Sequence, residues 1–395
     1  MLATPNIGDP AFLENPYPFY EIGRKMSPLF VESLGLWMAF NHDECQAILR
    51  DSTQWQSGFG SSALENDPSL PPPSMLGSNP PRHTRLRALV SQAFTPRMIE
   101  QLEPRLRQVA AELLDPVIGR GECDIVDTLA YPLPVIAISE ILGVEAEKRD
   151  QFKQWSDEVV ATLGTGASGS PQENDVSEAT FNAIRDYFEG MCAERRARPR
   201  NDLISGLVQA EMDGEKLSFD ELLQMLILLL VAGNETTTNL IGNAVQEFIA
   251  HPDQLARVEA DPALIPSALE EVMRISSPVQ ATVRRAAADT EFKGKQIAKD
   301  QQIVVWLAAA NRDPGVFADP LTFDVGRTPN RHLGFGMGIH FCLGAPLARL
   351  EAKVATEELL KRVTNFRRVD DAVLPRVPTF IMRGVKSLPI AFDAR

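Results

Sequence analysis

The sequence predicts a mainly α-helical protein with minor β structure. Residues 102–114 and 347–354 carry apolar side chains at helical spacing. Short β-branched runs at residues 290–297 and 302–306, with another near the C-terminus, are typical of strands. We therefore expect a helical protein with small β-sheets at its periphery.

The longest predicted helix begins after Ser218 and runs to Ala250. Glu221 stands three residues after Ser218, which is a capping-box pattern. Such a helix would extend about 48 Å, at about 1.5 Å per residue. Its middle, AGNETTTN at residues 232–239, is poor helix material, since a glycine costs about 1 kcal/mol relative to alanine. Either these residues serve a function or the helix bulges here.

Composition argues against several classes of protein. The chain has 395 residues, 44% of them hydrophobic, and a net charge of -14, which disfavours nucleic acid and anionic membranes as partners. The N-terminus lacks the basic start and apolar centre of a signal peptide. The longest apolar run, residues 225–232, is far shorter than the roughly 18 residues of a membrane span. We expect a cytoplasmic protein with no membrane partner.

The cysteines do not form a disulfide framework. Cys45, Cys123, Cys192 and Cys342 lie far apart, with no CxxC pair. Buried reduced thiols are the expectation for the first three.

Two stretches look like loops, at residues 57–81 and 164–172. Neither marks a shift in composition, so we interpret them as surface loops and predict a single domain over residues 1–395.

Cys342 is the strongest candidate for chemistry. It lies within FGMGIHFCLGAPLARLE, residues 335–351, where a helix begins. Helix amides and the helix dipole favour a thiolate there, able to act as a nucleophile or a metal ligand. Gly336, Gly338 and Gly344 leave room for a flat, bulky group. An ordinary buried thiol is the alternative for an isolated cysteine, and a zinc site with His340 would need further ligands.

The F-G-x-G-x-H-x-C-x-G arrangement resembles the haem-binding loop of cytochromes P450. This resemblance implies the cytochrome P450 fold, with the long helix over haem (protoporphyrin IX iron) and Cys342 as the iron ligand. Phe335, Gly336 and Gly344 would then line the haem. Glu271-Val-Met-Arg274 and residues 307–327 are similar to the family's structural helix and to the meander before the haem loop.

The resemblance also implies partners for the haem propionates, which need cationic or hydrogen-bonding groups. His83, Arg87, Arg284 and His340 match such positions in family order. Arg285 is the rival of Arg284, and the spacing to Asp289 favours Arg284. For each residue alone, a solvated surface charge is the alternative.

The middle of the long helix resembles the family's oxygen-activation motif. Ala232 and Gly233 would form a shallow groove over the iron, while Glu235 and Thr236 would deliver protons. Glutamate replaces the aspartate often found there. This changes how far the carboxylate extends more than it changes the class of reaction. A local hydroxyl hydrogen bond in a strained helix is the alternative.

The implied function is that of a haem-thiolate monooxygenase, which inserts one oxygen atom of O2 into an unactivated C–H bond of a lipophilic small molecule. A separate ferredoxin or flavodoxin type protein, with its reductase, would supply electrons. Five residues form a candidate basic patch for an acidic partner, although scattered surface charge is an equal alternative: Arg82, Arg85, Arg97, Arg331 and His332.

Substrate walls are expected from residues 70–77, 163–175, 228–233, 279–283 and 380–382. These segments are mostly apolar, which favours a terpenoid, steroid, fatty acyl chain or macrolide without distinguishing them.

Two other functions fit a haem thiolate. A peroxygenase or isomerase needs no reductase, but Glu235 and Thr236 argue against it. A non-enzymatic gas sensor would show no steady consumption of NADH with redox partners and a substrate.

Overall fold

The computed structural model describes residue 7 and residues 10–58, 72–163, 178–212 and 214–395. The chain divides into two compact units. The first unit consists of Met1–Gln56, Glu103–Leu133 and Thr236–Arg395, and the second of Ser57–Leu102 and Pro134–Glu235. The single-domain expectation stays a prediction.

Helices dominate the described residues, as predicted. They are α1 (Pro10–Glu14), α2 (Tyr17–Met26), α3 (His42–Arg50), α4 (Arg82–Ala93), α5 (Pro96–Glu100), α6 (Glu103–Ile118), α7 (Pro132–Leu142), α8 (Arg149–Leu163), α9 (Glu178–Ala197), α10 (Leu203–Gln209), α11 (Phe219–Ala250), α12 (Pro252–Ala260), α13 (Ile265–Ile275), α14 (Leu307–Ala310) and α15 (Ala345–Arg362).

The strands are short. They are β1 (Leu29–Val31), β2 (Leu36–Ala39), β3 (Trp55–Gln56), β4 (Glu122–Asp124), β5 (Glu211–Met212), β6 (Glu215–Lys216), β7 (Thr282–Ala286), β8 (Thr290–Phe292), β9 (Lys295–Ile297), β10 (Gln302–Val305), β11 (Val363–Arg368) and β12 (Pro389–Ala394). Each of the strand-like runs expected from the sequence therefore contains a strand.

The two largest sheets among the described residues lie in the first unit. One has the order β1-β2-β10-β7-β3, in which only the β2-β10 pair is parallel. The other has the antiparallel order β11-β12-β4. Trp306, directly after β10, is fully buried among aromatic side chains that include Tyr20 and Phe40. Strand β7, which carries Arg284, pairs with β10 next to this cluster.

Helix α11 is the predicted long helix, and its capping box is present. The Ser218 amide donates to the Glu221 carboxylate at 3.1 Å, and the Glu221 amide donates to the Ser218 hydroxyl at 3.2 Å. The helix continues through residues 232–239, so the bulge, one of the two alternatives for this stretch, is absent. By length and composition alone it could cross a membrane, but 61% of its most apolar window is buried, as in the core helix of a soluble protein.

Helix α13 carries a buried ion pair. Glu271 and Arg274 have fully buried side chains, and their two hydrogen bonds measure 2.8 and 2.7 Å. Arg274 also donates to the carbonyl oxygens of Asn311, Pro320 and Thr322. The pair therefore ties α13 to the segment that precedes the Cys342 loop, which agrees with its predicted structural role.

In the second unit, α4 is attached to the start of α11. Arg82 donates to the Glu221 carboxylate at 3.0 Å, and Arg85 bonds the same oxygen. Helix α4 begins directly after Pro80-Pro81, as predicted, and His83 on it is buried.

Candidate active site

The Cys342 loop is a tight turn that ends at helix α15. The Cys342 amide donates to the Phe335 carbonyl at 2.9 Å, and the Gly336 amide donates to the Leu333 carbonyl at 2.8 Å. Gly344 caps α15, and a Cβ built on it would lie 3.9 Å from the Cys342 Sγ. The sulfur is therefore held two residues before the helix cap, where the dipole favours negative charge. His340 ends the short 3-10 turn Gly338–His340 in the same loop.

Gly338 is required by backbone packing. Its φ is +71°, a conformation that other residues rarely adopt, and a Cβ would lie 2.4 Å from the Leu49 carbonyl oxygen. Close packing on α3 therefore requires a glycine here, and the prediction that it also makes room for a ligand stays a prediction.

The haem fit is supported by Arg284. This side chain on β7 is buried, and its hydrogen bonds go to the Thr282 hydroxyl and the Val283 carbonyl. Burial lowers the pKa of Arg284 to about 10, and within the described part of the chain no carboxylate pairs with it. A buried cation without a counter-anion suits an anionic group such as a propionate.

Arg285, the rival of Arg284, is already occupied. It donates to Asp300 at 2.6 Å and to Gln56 at 3.1 Å. Asp289, whose spacing entered the prediction, accepts from the Lys299 amide instead. These contacts favour Arg284 as the propionate partner.

His83 and Arg87 lie one turn apart on α4, in the second unit. His83 is buried and Arg87 is half-buried. Their assignment to the propionates stays a prediction.

The middle of α11 presents an open surface. Ala232 is exposed although it lies within the longest helix, and a Cβ added at Gly233 would meet no atom within 4 Å. Asn234 points elsewhere, since it is buried and donates to the Ser156 hydroxyl of α8 at 3.2 Å. Glu235 and Thr236 follow, and both are half-buried. The small residues therefore leave space along one side of the helix, as the groove prediction requires.

Sequence reasoning missed a buried carboxyl group on α15. The Glu351 side chain is buried, the Thr237 hydroxyl hydrogen-bonds it, and its Oε2 atom has no partner within the described residues. Burial raises the pKa of Glu351 to about 8, against the smaller opposite effect of the Thr237 hydrogen bond. A signal was present: Glu351 stands four residues after Leu347, on the face that the apolar spacing predicts to be buried.

Glu351 predicts a pH dependence of stability. Its pKa is raised in the folded state, so the folded protein binds the extra proton between about pH 4.5 and pH 8. Stability should therefore fall across this window as the pH rises, by up to about 4 kcal/mol. We expect Glu351→Gln to lose this part of the pH dependence, measured by urea unfolding at pH 5 and pH 8. An unchanged pH dependence would contradict the buried-acid assignment.

The predicted basic patch is only partly available. His332 is not a surface residue, because its side chain is 4% exposed and its Nε2 lies 3.0 Å from the Glu270 carboxylate. Arg82 and Arg85 are engaged by Glu221. The remaining members, Arg97 and Arg331, are exposed. The prediction that His332 is part of a surface patch was wrong, because its buried side chain pairs with the half-buried Glu270 carboxylate.

Two of the expected substrate walls meet in the first unit. The Gln280 amide donates to the Ile381 carbonyl at 2.7 Å, and Val279 bridges Met382. Residues 228–233 belong to α11. Residues 59–71 and 164–177 lie outside the described residues. The loop predicted at residues 164–172 and most of the loop predicted at residues 57–81 are therefore not described. The same holds for substrate-wall positions 70, 71 and 164–175.

Comparison with known sequences decides the family. The sequence model of the family described as cytochrome P450 matches residues 28–373. The chain belongs to the cytochrome P450 family. It is 39% identical to a putative cytochrome P450, YjiB, of Bacillus subtilis, over 95% of this chain and 93% of that protein. It is also 38% identical to the steroid C26-monooxygenase of Mycobacterium tuberculosis strain CDC 1551, over 93% of this chain and 98% of that protein.

Solved structures agree. Cytochrome P450 CYP109Q5 from Chondromyces apiculatus has a TM-score of 0.89 and 39% identity, and each chain is fully covered. CYP109E1 from Bacillus megaterium, in complex with corticosterone, has a TM-score of 0.86 and 36% identity, covering 96% of this chain and 99% of that one. This P450 therefore has the cytochrome P450 fold predicted from the sequence, uses haem and is a monooxygenase.

Proposed function

We propose that this P450 inserts one oxygen atom of O2 into an unactivated C–H bond of a lipophilic small molecule, using electrons from a separate protein. The observation that carries the proposal is the Glu235 and Thr236 pair, which directly follows the open surface of α11 at Ala232 and Gly233. Haem supplies the oxidation chemistry when it is bound, while the protein supplies binding, orientation and protons. A peroxygenase would need no such acid and alcohol.

The roles of the pair follow from their chemistry. The Thr236 hydroxyl has one O–H donor and two acceptor lone pairs, so it can receive one hydrogen bond while it donates another. The Glu235 carboxyl can exchange protons with solvent and pass them on. Cys342, Arg284, His340, His83 and Arg87 would hold the haem, as ligand and as propionate partners.

Thr236→Ala should uncouple electron use from product formation. Without the hydroxyl at Oγ1, proton delivery fails, and we expect product per NADH to fall by about tenfold or more while NADH consumption continues. Both quantities are measured with a surrogate ferredoxin and its reductase.

Thr238→Ala is the matched control. Thr238 lies on the same helix, is buried, and its hydroxyl has no partner within the described residues. Its coupling should equal that of the wild type. If Thr237→Ala uncouples the enzyme and Thr236→Ala does not, the assignment is shifted by one residue.

The substrate class is proposed from the apolar walls and from the relatives. One relative is named a steroid C26-monooxygenase, and one structural neighbour contains corticosterone. Another neighbour is complexed with an acyl carrier protein that carries hexadec-9Z-enoic acid. We therefore propose steroids and long-chain acyl compounds as the first probes, with product detected by mass spectrometry. Failure of both would move the search to terpenoids and macrolides.

The electron donor is proposed to be a ferredoxin or flavodoxin type protein with its reductase, in the cytoplasm. Exposed Arg97 and Arg331 can attract an acidic partner. Because exposed charges act through water, the rate of electron transfer should fall as salt concentration rises.

A further inference from the structure

A charged network lies beside the Cys342 loop. The Arg349 guanidinium donates to Glu270 through two bonds, from Nε to Oε1 at 2.6 Å and from Nη2 to Oε2 at 2.8 Å. This is the forked geometry that makes arginine-carboxylate pairs strong and specific. Arg349 is thereby fixed in one position, although its side chain is 42% exposed.

His332 completes the network. Its Nδ1 accepts the Gly334 amide at 3.1 Å, so its proton is on Nε2, which donates to Glu270 at 3.0 Å. Burial would raise the pKa of Glu270, but the hydrogen bonds from Arg349 and His332 outweigh it and lower the pKa to about 2. The carboxylate therefore stays ionised at neutral pH, and the arginine stays anchored.

The anchored guanidinium faces the loop of the candidate ligand. Its Cζ lies 4.4 Å from the centre of the Phe335 ring, a cation–π contact. Phe335 in turn accepts the Cys342 amide through its carbonyl at 2.9 Å. The ion pair with Glu270 raises the pKa of Arg349, and the nearby Cys342 thiolate contributes to the rise. The guanidinium therefore packs on the residue whose carbonyl holds the Cys342 amide.

We propose that Arg349, held by Glu270 and His332 against Phe335, is a positioning residue that stabilises negative charge on the Cys342 thiolate and so raises the reduction potential of the iron it ligates. The inference rests on the proposed ligation by Cys342. Its physical basis is that reduction adds an electron beside the sulfur, and a nearby cation favours the more negative state. Glu270 binds the Nε and Nη2 edge of the guanidinium, and its negative charge opposes part of this effect.

The test measures the equilibrium between ferric and ferrous iron in two variants of the haem-loaded protein. Arg349→Gln removes the positive charge, and we expect the ferrous form to lose about tenfold in this equilibrium, a fall of about 59 mV for one electron. Glu270→Gln removes the negative charge and keeps one acceptor oxygen, so the potential should rise by less than this amount.

Arg362→Gln is the matched control. Arg362 lies on the same helix, is held by Glu358 at 2.7 Å and Asp115 at 2.6 Å, and is about 20 Å further along α15 at about 1.5 Å per residue. The ferric-ferrous equilibrium of the Arg362→Gln protein should stay within about twofold of the wild-type value.

The opposite signs expected for the two shifts in reduction potential distinguish an effect of charge from an effect of packing. Shifts in the same direction for Arg349→Gln and Glu270→Gln, or no shift for Arg349→Gln, would overturn the proposal. If Arg349→Gln does not retain haem, Glu270→Gln alone tests the proposal: a rise in the reduction potential supports it, and a fall overturns it. A wild-type protein without the thiolate spectrum would instead refute the ligation by Cys342, so the two failures are distinguishable.

Discussion

Replacing Cys342 with alanine is expected to abolish the red-shifted Soret band of the reduced protein with carbon monoxide, and to reduce monooxygenase activity to background. The reason is that Cys342 is the one cysteine of the loop, and it is held there by the Phe335 carbonyl and by Gly344 at the cap of α15. The measurement is the absorption spectrum of the dithionite-reduced protein with carbon monoxide, in wild type and variant.

Cys123→Ala provides the matched control for this experiment. Cys123 is half-buried and outside any disulfide, as Cys342 is, but it lies on β4. The band should be retained in this variant. A wild type with an unshifted band, or a Cys342→Ala protein that keeps the red shift, would refute the assignment of the ligand.

Arg274→Ala should cost about 3–5 kcal/mol of folding free energy, because it leaves a buried carboxylate short of its main partner. The carbonyl oxygens of Asn311 and Pro320 also lose their donor, whereas that of Thr322 keeps the bond from Arg327. Arg327 still donates to Glu271 at 2.9 Å, so part of the network survives. Urea unfolding measures the loss of folding free energy. If the variant does not fold, a lower soluble fraction than that of the wild type is the readout.

Arg257→Ala tests whether burial is the cause. Arg257 also pairs with a carboxylate, Asp324, at 2.8 Å, but both side chains are exposed. We expect a cost below about 1 kcal/mol, which is typical of surface ion pairs. Equal costs for the two variants would mean that the buried pair has no special structural role.

Local sequence patterns predicted much of the helical structure. The capping box at Ser218 and Glu221 formed as expected, because both partners lie within one turn and the backbone supplies the other two groups. The bulge considered as one alternative at residues 232–239 did not form, because propensity is a weak preference that tertiary packing overrides. Asn234 shows this packing, through its buried bond to Ser156.

Partner choice was less predictable. Arg284 and Arg285 are adjacent, and what distinguishes them is not the spacing to Asp289 but the pairing of Arg285 with Asp300, 15 residues away. The sequence predicted His332 to be a surface charge, whereas in the structure it pairs with Glu270, 62 residues earlier. Such pairings depend on strands and helices that are distant in sequence, so local sequence patterns do not predict them.

The sequence by itself determined the haem loop, the long helix and the family, because these depend on residue types at short fixed spacings. The tertiary structure alone decided which charges are buried and which have counter-ions, as for Arg284, Glu351 and the Glu270–Arg349 pair. The physical reason is that the energy of a charge depends on the dielectric and the neighbours around it, and only the folded chain brings those neighbours together.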